Sequence, residues 1–129
     1  MNEHKKKRKR RRHEEESVRI TYHGEKRVRE RLGIPKSAVK KNIEKAQKYG
    51  VTSKETYGPF KRYLEWLYLD YGKANNIKSY NHFIYVFDNN VLITLLHIPT
   101  KYIDAAEASQ RRKYNLMTEG ESFYAKNRK

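Results

Sequence analysis

Apolar residues recur at helical spacing through the first half of the chain and predict three helices. The first is expected from about His23 to Leu32 and the second from about Lys36 to Tyr49, because Gly33-Ile34-Pro35 ends one helix and starts the next. The third is expected from about Phe60 to Tyr71, after Gly58-Pro59. Its apolar side chains at positions 60, 64, 67 and 68 mark one face of a helix.

The spacing of apolar residues changes from 3.6 to 2 after residue 76, which predicts strands in place of helices. Three strands are expected at about Ile77–Tyr80, Phe83–Asp88 and Val91–His97, joined by turns at Asn81-His82 and Asn89-Asn90. Helices followed by a meander predict an α+β domain. In it, two to three N-terminal helices pack on one face of a small antiparallel β-sheet.

Tight turns fix the register of the predicted hairpins. With Asn89-Asn90 as a turn and a regular strand after it, Tyr85 faces Thr94, while Ile84 and Val86 lie on the face beneath the helices. The opposite face is aromatic and partly polar, and exposed rings of this kind stack on the bases of single-stranded RNA. It carries Lys78, Tyr80, Phe83, Tyr85 and Thr94. The alternative is that a terminal segment covers this face as a second core layer.

Charge is distributed unevenly along the 129 residues. The chain has a net charge of +15, of which residues 1–16 hold +4 from eight basic and four acidic side chains, so +11 remains on the rest. A charged block with nothing apolar to bury is expected to form a disordered basic arm. Domain boundaries follow: an arm over 1–16, an α+β core over 17–100, and a C-terminal helix and tail over 101–129. The thin apolar stripe of that last helix predicts weak docking.

The excess of positive charge favours a polyanion as the partner. RNA is the expected partner, with DNA or a ribonucleoprotein as alternatives. In the arm, the residues expected to bind nucleic acid are Lys5, Lys6, Lys7, Arg8, Lys9, Arg10, Arg11 and Arg12. A nuclear address and a solubilising tail are the alternative interpretations of this block.

Several function classes are disfavoured by what the sequence lacks. The chain has no cysteine, its three aspartates are widely spaced, and it has no Gly-rich phosphate loop, so we expect neither a metal nor a cofactor. The longest apolar run, Val91–Leu96, is too short to cross a bilayer. A soluble, cytoplasmic protein with no membrane partner is therefore expected.

The first predicted helix combines a histidine with arginines along one side. His23, Arg27 and Arg31 are spaced by four residues and so share a helix face. RNA can be cleaved without a metal ion, because its 2′-hydroxyl is an internal nucleophile that needs only proton transfer and positive charge at the phosphate. Histidine and arginine suit these roles. The alternative is an ordinary solvated helix face.

The order of these parts resembles small bacterial and phage proteins related to the barnase, colicin and RelE-type endoribonuclease superfamily, over residues 20–99. The resemblance is carried by a first helix that begins His-x-x-x-Arg-x-x-x-Arg-x-Gly-Ile, a second helix, and a meander that ends in an Ile-Thr-Leu strand. It implies metal-independent RNA cleavage, with His23 as acid or base, Arg27 and Arg31 as phosphate ligands, and Tyr85 and Thr94 as sheet-face contacts. A protein inhibitor or a host protein is a further candidate partner for such a toxin-like protein.

These observations predict an RNA-binding protein of endoribonuclease-like fold, and they leave open whether it is an active enzyme. The alternative is a non-enzymatic nucleic-acid or ribonucleoprotein accessory factor, encoded by a phage or another mobile element, in which the same basic surface only binds.

Overall fold

The computed structural model describes residues 18–127, with side chains through Thr118, and has an α+β architecture. The elements in chain order are β1 (Arg19–Ile20), α1 (Tyr22–Leu32), α2 (Lys36–Tyr49), α3 (Gly58–Asp70), β2 (Asn76–Tyr80), β3 (Phe83–Asp88), β4 (Val91–His97) and α4 (Ile103–Asn127). Short 3-10 turns precede α3 and α4, at Ser53–Glu55 and Thr100–Tyr102. The basic arm predicted for residues 1–16 lies outside the described residues.

Local capping signals account for the ends of α1. The Thr21 hydroxyl accepts a hydrogen bond from the Gly24 N–H at 2.9 Å, which satisfies one of the free donors at the start of the helix. Gly33 adopts the left-handed conformation, with φ 64°, and its N–H donates to the carbonyl of Arg29 at 3.0 Å. The helix bounds predicted for this segment are confirmed.

The sheet has four strands in the order β1-β4-β3-β2. The pairs of β2 with β3 and of β3 with β4 are antiparallel, as predicted for the meander. Strand β1 pairs in parallel with β4, through Arg19 opposite Val91 and Ile20 opposite Leu92. The sheet is therefore mixed, and the purely antiparallel sheet predicted from the sequence is wrong in this respect.

Helices cover both faces of the sheet, not one face as predicted. On one side, α1 and α2 contribute buried side chains such as Val28 and Ile43, which pack against Tyr85 in a shared core cluster. On the other side, α3 and α4 contribute buried side chains such as Phe60, which pack against Ile84 in a second cluster. Both faces of the sheet carry large apolar side chains, and each face needs its own cover.

A β-bulge interrupts the pairing of β3 with β4. Phe87 lies opposite Leu92 as predicted, but the register then shifts, so that Val86 lies opposite Thr94 and Tyr85 opposite Leu95. Ile93 of β4 has no partner on β3 in this register. Each residue of β4 after it therefore lies on the opposite face of the sheet from the face predicted for a regular strand. The predicted pairing of Tyr85 with Thr94 is therefore wrong.

Helix α4 is tied to the segment between α2 and α3 by polar contacts. The hydroxyls of Thr56 and Ser109 are buried and lie 2.7 Å apart. The Lys113 ammonium donates to the Gly50 carbonyl at 2.7 Å and to the Glu55 carboxylate at 3.0 Å. These contacts add to the apolar stripe on which the prediction of weak docking is based; the strength of the docking stays a prediction.

Candidate nucleic-acid interface

The start of α1 lies directly against the edge of β4. A Cβ atom at Gly24 would come within 2.7 Å of the Leu92 carbonyl oxygen and 3.2 Å of the Ile93 carbonyl oxygen, so this close approach requires glycine. The Thr21 hydroxyl, which caps the helix, also lies 3.3 Å from both carbonyl oxygens. This packing fixes the position of His23, the residue before the glycine.

His23 and Arg27 form a pair on the exposed flank of α1. The Arg27 Nε–H donates to the His23 Nε2 at 3.3 Å, one helical turn apart. Arg27 also lies 3.7 Å from the Glu30 carboxylate, in an ion pair that is solvent-accessible. Exposed ion pairs of this kind contribute little free energy, so a phosphate could replace Glu30 as the partner of Arg27 at small cost. The structure thus brings together the histidine and the first arginine of the predicted site.

Arg31 has a different environment from Arg27. Its guanidinium donates to the Leu95 carbonyl on β4. Strand β1 pairs with this edge of β4 only at Val91 and Leu92, so it does not reach the Leu95 carbonyl. The Arg31 guanidinium supplies a donor for that carbonyl. The contact links α1 to β4, and the phosphate-ligand role expected for Arg31 stays a prediction.

Tyr85 and Thr94 are buried on opposite faces of the sheet, so the sheet-face contacts predicted for both are wrong. Tyr85 is 1% exposed and Thr94 is 7% exposed. The Tyr85 hydroxyl accepts a hydrogen bond from Asn42 at 2.9 Å. Burial raises the pKa of Tyr85 to about 12, against the smaller opposing effect of the Asn42 hydrogen bond. Neither side chain can touch RNA while α1–α4 are in place.

The remaining residues of the predicted aromatic platform are partly covered as well. Tyr80 and Phe83 pack at the margin of the core under α1 and α2, with the Tyr80 ring edge-on to Tyr85 at 6.2 Å. Lys78 donates to the Gln47 carbonyl, and burial lowers the pKa of this lysine. An open stacking platform on this face is therefore ruled out, because helices occupy it. The basic residues Lys5–Arg12 lie outside the described residues.

A second polar cluster was not indicated by the sequence. The His82 Nε2 and a carboxylate oxygen of Glu107 lie 2.5 Å apart, although His82 belongs to the β2–β3 turn and Glu107 to α4. The two residues are 25 positions apart and belong to no motif, so only the folded chain shows the pair. It borders a cavity of about 570 Å³.

Within residues 18–118, no three His, Asp or Glu side chains come close enough together to hold a metal ion. No helix of the described chain is long and apolar enough to span a membrane. Comparison of the chain with protein-family models, with curated proteins and with solved structures found no match. The resemblance to the endoribonuclease superfamily stays a prediction from the sequence.

Proposed function

We propose that this chain is an RNA-binding protein that cleaves RNA without a metal ion at the His23–Arg27 pair. The observation that carries the proposal is the exposed His23 Nε2, which accepts an N–H from Arg27 at 3.3 Å. It supplies a proton acceptor and a phosphate-binding cation one helical turn apart. The net charge of +15 supports a polyanionic substrate.

The chemistry requires Arg27 to change partners when RNA binds. Its guanidinium moves from Glu30 and His23 to the scissile phosphate, and the freed Nε2 lone pair of His23 takes the proton of the 2′-hydroxyl. The 2′-oxygen then bonds to phosphorus, and the bond from phosphorus to the 5′-oxygen breaks. The leaving oxygen takes a proton from water. The products carry a 2′,3′-cyclic phosphate and a 5′-hydroxyl.

His97 is not the general acid of this proposal. His23 lies level with Leu92 and Ile93, beside Gly24, whereas His97 is four residues further along β4. At roughly 3.3 Å per strand residue, this separation is about 13 Å. The proposal therefore assigns protonation of the leaving oxygen to water and not to His97.

The purified protein should cleave total RNA in the presence of a metal chelator. His23→Ala should lower the cleavage rate about a hundredfold or more with nearly unchanged affinity, because it removes the proton acceptor. Arg27→Ala should reduce both rate and affinity. Arg29→Ala is the matched control, because it removes the same charge from an exposed position elsewhere on α1.

Binding of RNA should depend strongly on salt. If about six phosphates are neutralised, log affinity should fall against log salt with a slope near −4 for single-stranded RNA. Deletion of residues 1–16 should make the slope shallower. A slope near zero for the full chain would remove nucleic acid as the main partner.

A non-enzymatic accessory factor is the second candidate function. It is favoured by the closed sheet face, since both Tyr85 and Thr94 are buried, and by the ion pair between Glu30 and Arg27. RNA that stays intact from about pH 5 to 9 while bound tightly would favour this candidate and refute cleavage at His23.

A further inference from the structure

The cavity of about 570 Å³ lies at the edge of the sheet formed by β2, whereas α1 lies at the β4 side. Its walls come from α2, the β2–β3 turn and α4. Tyrosine rings and cations share the lining. The residues concerned are Tyr49, Tyr80, Tyr114, Lys45 and Arg111.

The tyrosines give the cavity an aromatic wall. Tyr49 and Tyr114 are neighbours, with ring centroids 6.4 Å apart and planes tilted by 55°. Because Tyr114 is 54% exposed, part of its surface is open to a ligand. A planar base can stack on such a ring, as bases do in single-strand binders. Tyr80, half-buried at the margin of the core, lines the same cavity from the end of β2.

The two cations stand on different elements, Lys45 on α2 and Arg111 on α4. Both are exposed, and neither forms a salt bridge with the acidic side chains of residues 18–118. Glu107, one helical turn before Arg111, is bound to His82 instead, at 2.5 Å. The two cations therefore remain available to an anionic group such as a phosphate.

The pair of His82 and Glu107 adds hydrogen-bonding capacity to the cavity. Asn81 and His82 both have positive φ, 47° and 70°, in a turn that brings His82 to α4. One carboxylate oxygen of Glu107 is used by His82, which leaves the other to accept N–H groups. Carboxylates accept from the exocyclic amine of cytosine, whereas uracil offers a carbonyl at the same position.

We propose that this cavity binds a nucleotide unit. The base stacks on Tyr114, its N–H edge donates to Glu107, and its phosphate lies between Lys45 and Arg111. A free mononucleotide and an unpaired nucleotide of an RNA strand both present this chemistry, and the binding experiment separates them. The inference does not depend on His23.

The experiment is titration of the ¹⁵N-labelled full-length protein, followed by amide NMR spectra. The probes are cytidine 5′-monophosphate, uridine 5′-monophosphate, inorganic phosphate and a cytidine hexanucleotide. Cytidine monophosphate should shift the signals of Asn81, His82 and Arg111 and bind about tenfold more tightly than uridine monophosphate. Tighter binding of the hexanucleotide at the same signals assigns the cavity to RNA, whereas equal affinity assigns it to free nucleotides.

Variants of the cavity test the assigned contacts. Arg111→Gln should weaken nucleotide binding about fivefold or more, whereas Arg112→Gln should not, because Arg112 lies over the Tyr57 ring, 4.4 Å from its centroid. Glu107→Gln should abolish the preference for cytidine over uridine monophosphate. Inorganic phosphate that binds as tightly as the nucleotides, or ligands that shift no cavity signal, would overturn the proposal.

The cavity and the cleavage site can fail separately. If Arg111→Gln has no effect on nucleotide binding while wild-type protein cleaves RNA, the cavity proposal fails alone. If His23→Ala cleaves RNA as fast as wild type while nucleotides still shift the cavity signals, the proposed function fails alone.

Discussion

Tyr85 provides the sharpest test of the helical layer that closes one face of the sheet. An exposed platform residue could be truncated with little loss of stability, and the main effect would be on RNA binding. In the structure its ring is instead 1% exposed and lies parallel to Phe87, with centroids 6.4 Å apart and planes 14° apart. Tyr85→Ala should therefore act on the free energy of unfolding.

The expected size follows from what the ring contacts. Replacement of a fully buried aromatic side chain by alanine costs about 3 to 5 kcal/mol, from lost burial and the cavity left behind. Tyr85→Phe removes only the hydroxyl that accepts from Asn42 at 2.9 Å. Its cost should be about 1 kcal/mol, since Asn42 is only half-buried and can bind water instead. The ratio of the two losses separates ring burial from the hydrogen bond.

The assay is urea unfolding, followed by the fluorescence of Trp66 and by far-UV circular dichroism. Trp66 is the only tryptophan and lies on α3, on the other side of the sheet, so a shared midpoint shows that the two layers unfold together. Tyr22→Ala is the matched control, because Tyr22 is 85% exposed. A loss for Tyr85→Ala no larger than the ~0.5 kcal/mol typical of surface substitutions would refute the closed face.

Alkaline pH tests the same residue without removing its ring. The pKa of Tyr85 is raised by burial to about 12, above the ordinary value of 10.0, so the folded state favours the neutral phenol. Its contribution to stability is full below about pH 10 and is lost as the pH rises towards 12. Tyr85→Phe should remove this component of the alkaline loss, and an unchanged alkaline transition would contradict the burial of the hydroxyl.

Two further positions give predictions of stability. Gly24→Ala should destabilise the fold by about 1 to 3 kcal/mol in urea unfolding, because the new Cβ meets a backbone carbonyl of β4. This loss is expected despite the higher helix propensity of alanine. Gly72→Ala is the control, because its Cβ would enter open space, and equal effects of the two substitutions would contradict the close packing of α1. Burial by itself would raise the pKa of Glu55, but hydrogen bonds from the Thr52 backbone and from Lys113 together outweigh burial, so the pKa is lowered from its ordinary value of 4.5. The stabilisation by this carboxylate is therefore present above about pH 4.5 and is lost as the pH falls through the lower pKa of the folded state. The difference in unfolding free energy between wild type and Glu55→Gln should shrink on acidification. A difference that stays constant with pH would refute the assignment.

The helices and the meander could be predicted because their signals are local. Gly33-Ile34-Pro35 separates α1 from α2, and the two Asn-containing turns define β3 at both ends. Each signal acts over a few residues, through backbone conformations that proline, glycine and asparagine favour or disfavour. Bounds obtained in this way do not depend on the rest of the fold.

The strand order and the sheet face that each helix covers depend on long-range contacts, so they could not be predicted in the same way. Strand β1 contains only Arg19 and Ile20, too few residues for any alternation to appear. The sequence pattern also leaves open whether the aromatic side chains of β3 face water or a helix, since an aromatic ring suits both. Helices α1 and α2 settle the question by covering Tyr85.

The cavity at the β2 edge was beyond prediction for a related reason. Lys45, His82 and Arg111 belong to three separate elements, and each is an unremarkable surface residue in its own segment. Only the docking of α4 brings them together, through contacts such as the Thr56–Ser109 hydrogen bond. Those polar contacts carry no periodicity from which the docking could be read.

The β-bulge in β4 shows how one irregularity changes the chemistry available to a sheet. Residues 91–96 are all apolar except Thr94, so odd-numbered and even-numbered positions do not differ in polarity. The sequence therefore gives no sign of where the bulge lies. The shift moves Thr94 to the α3 and α4 side and places His97 opposite Phe83, with ring centroids 5.0 Å apart. The same stretch of β4 receives Gly24 of α1 at the Leu92 and Ile93 carbonyls. The position of His23 relative to the sheet therefore depends on the irregular part of the strand. The sequence could predict that His23 and Arg27 share a helix face, but not where that face lies against the sheet.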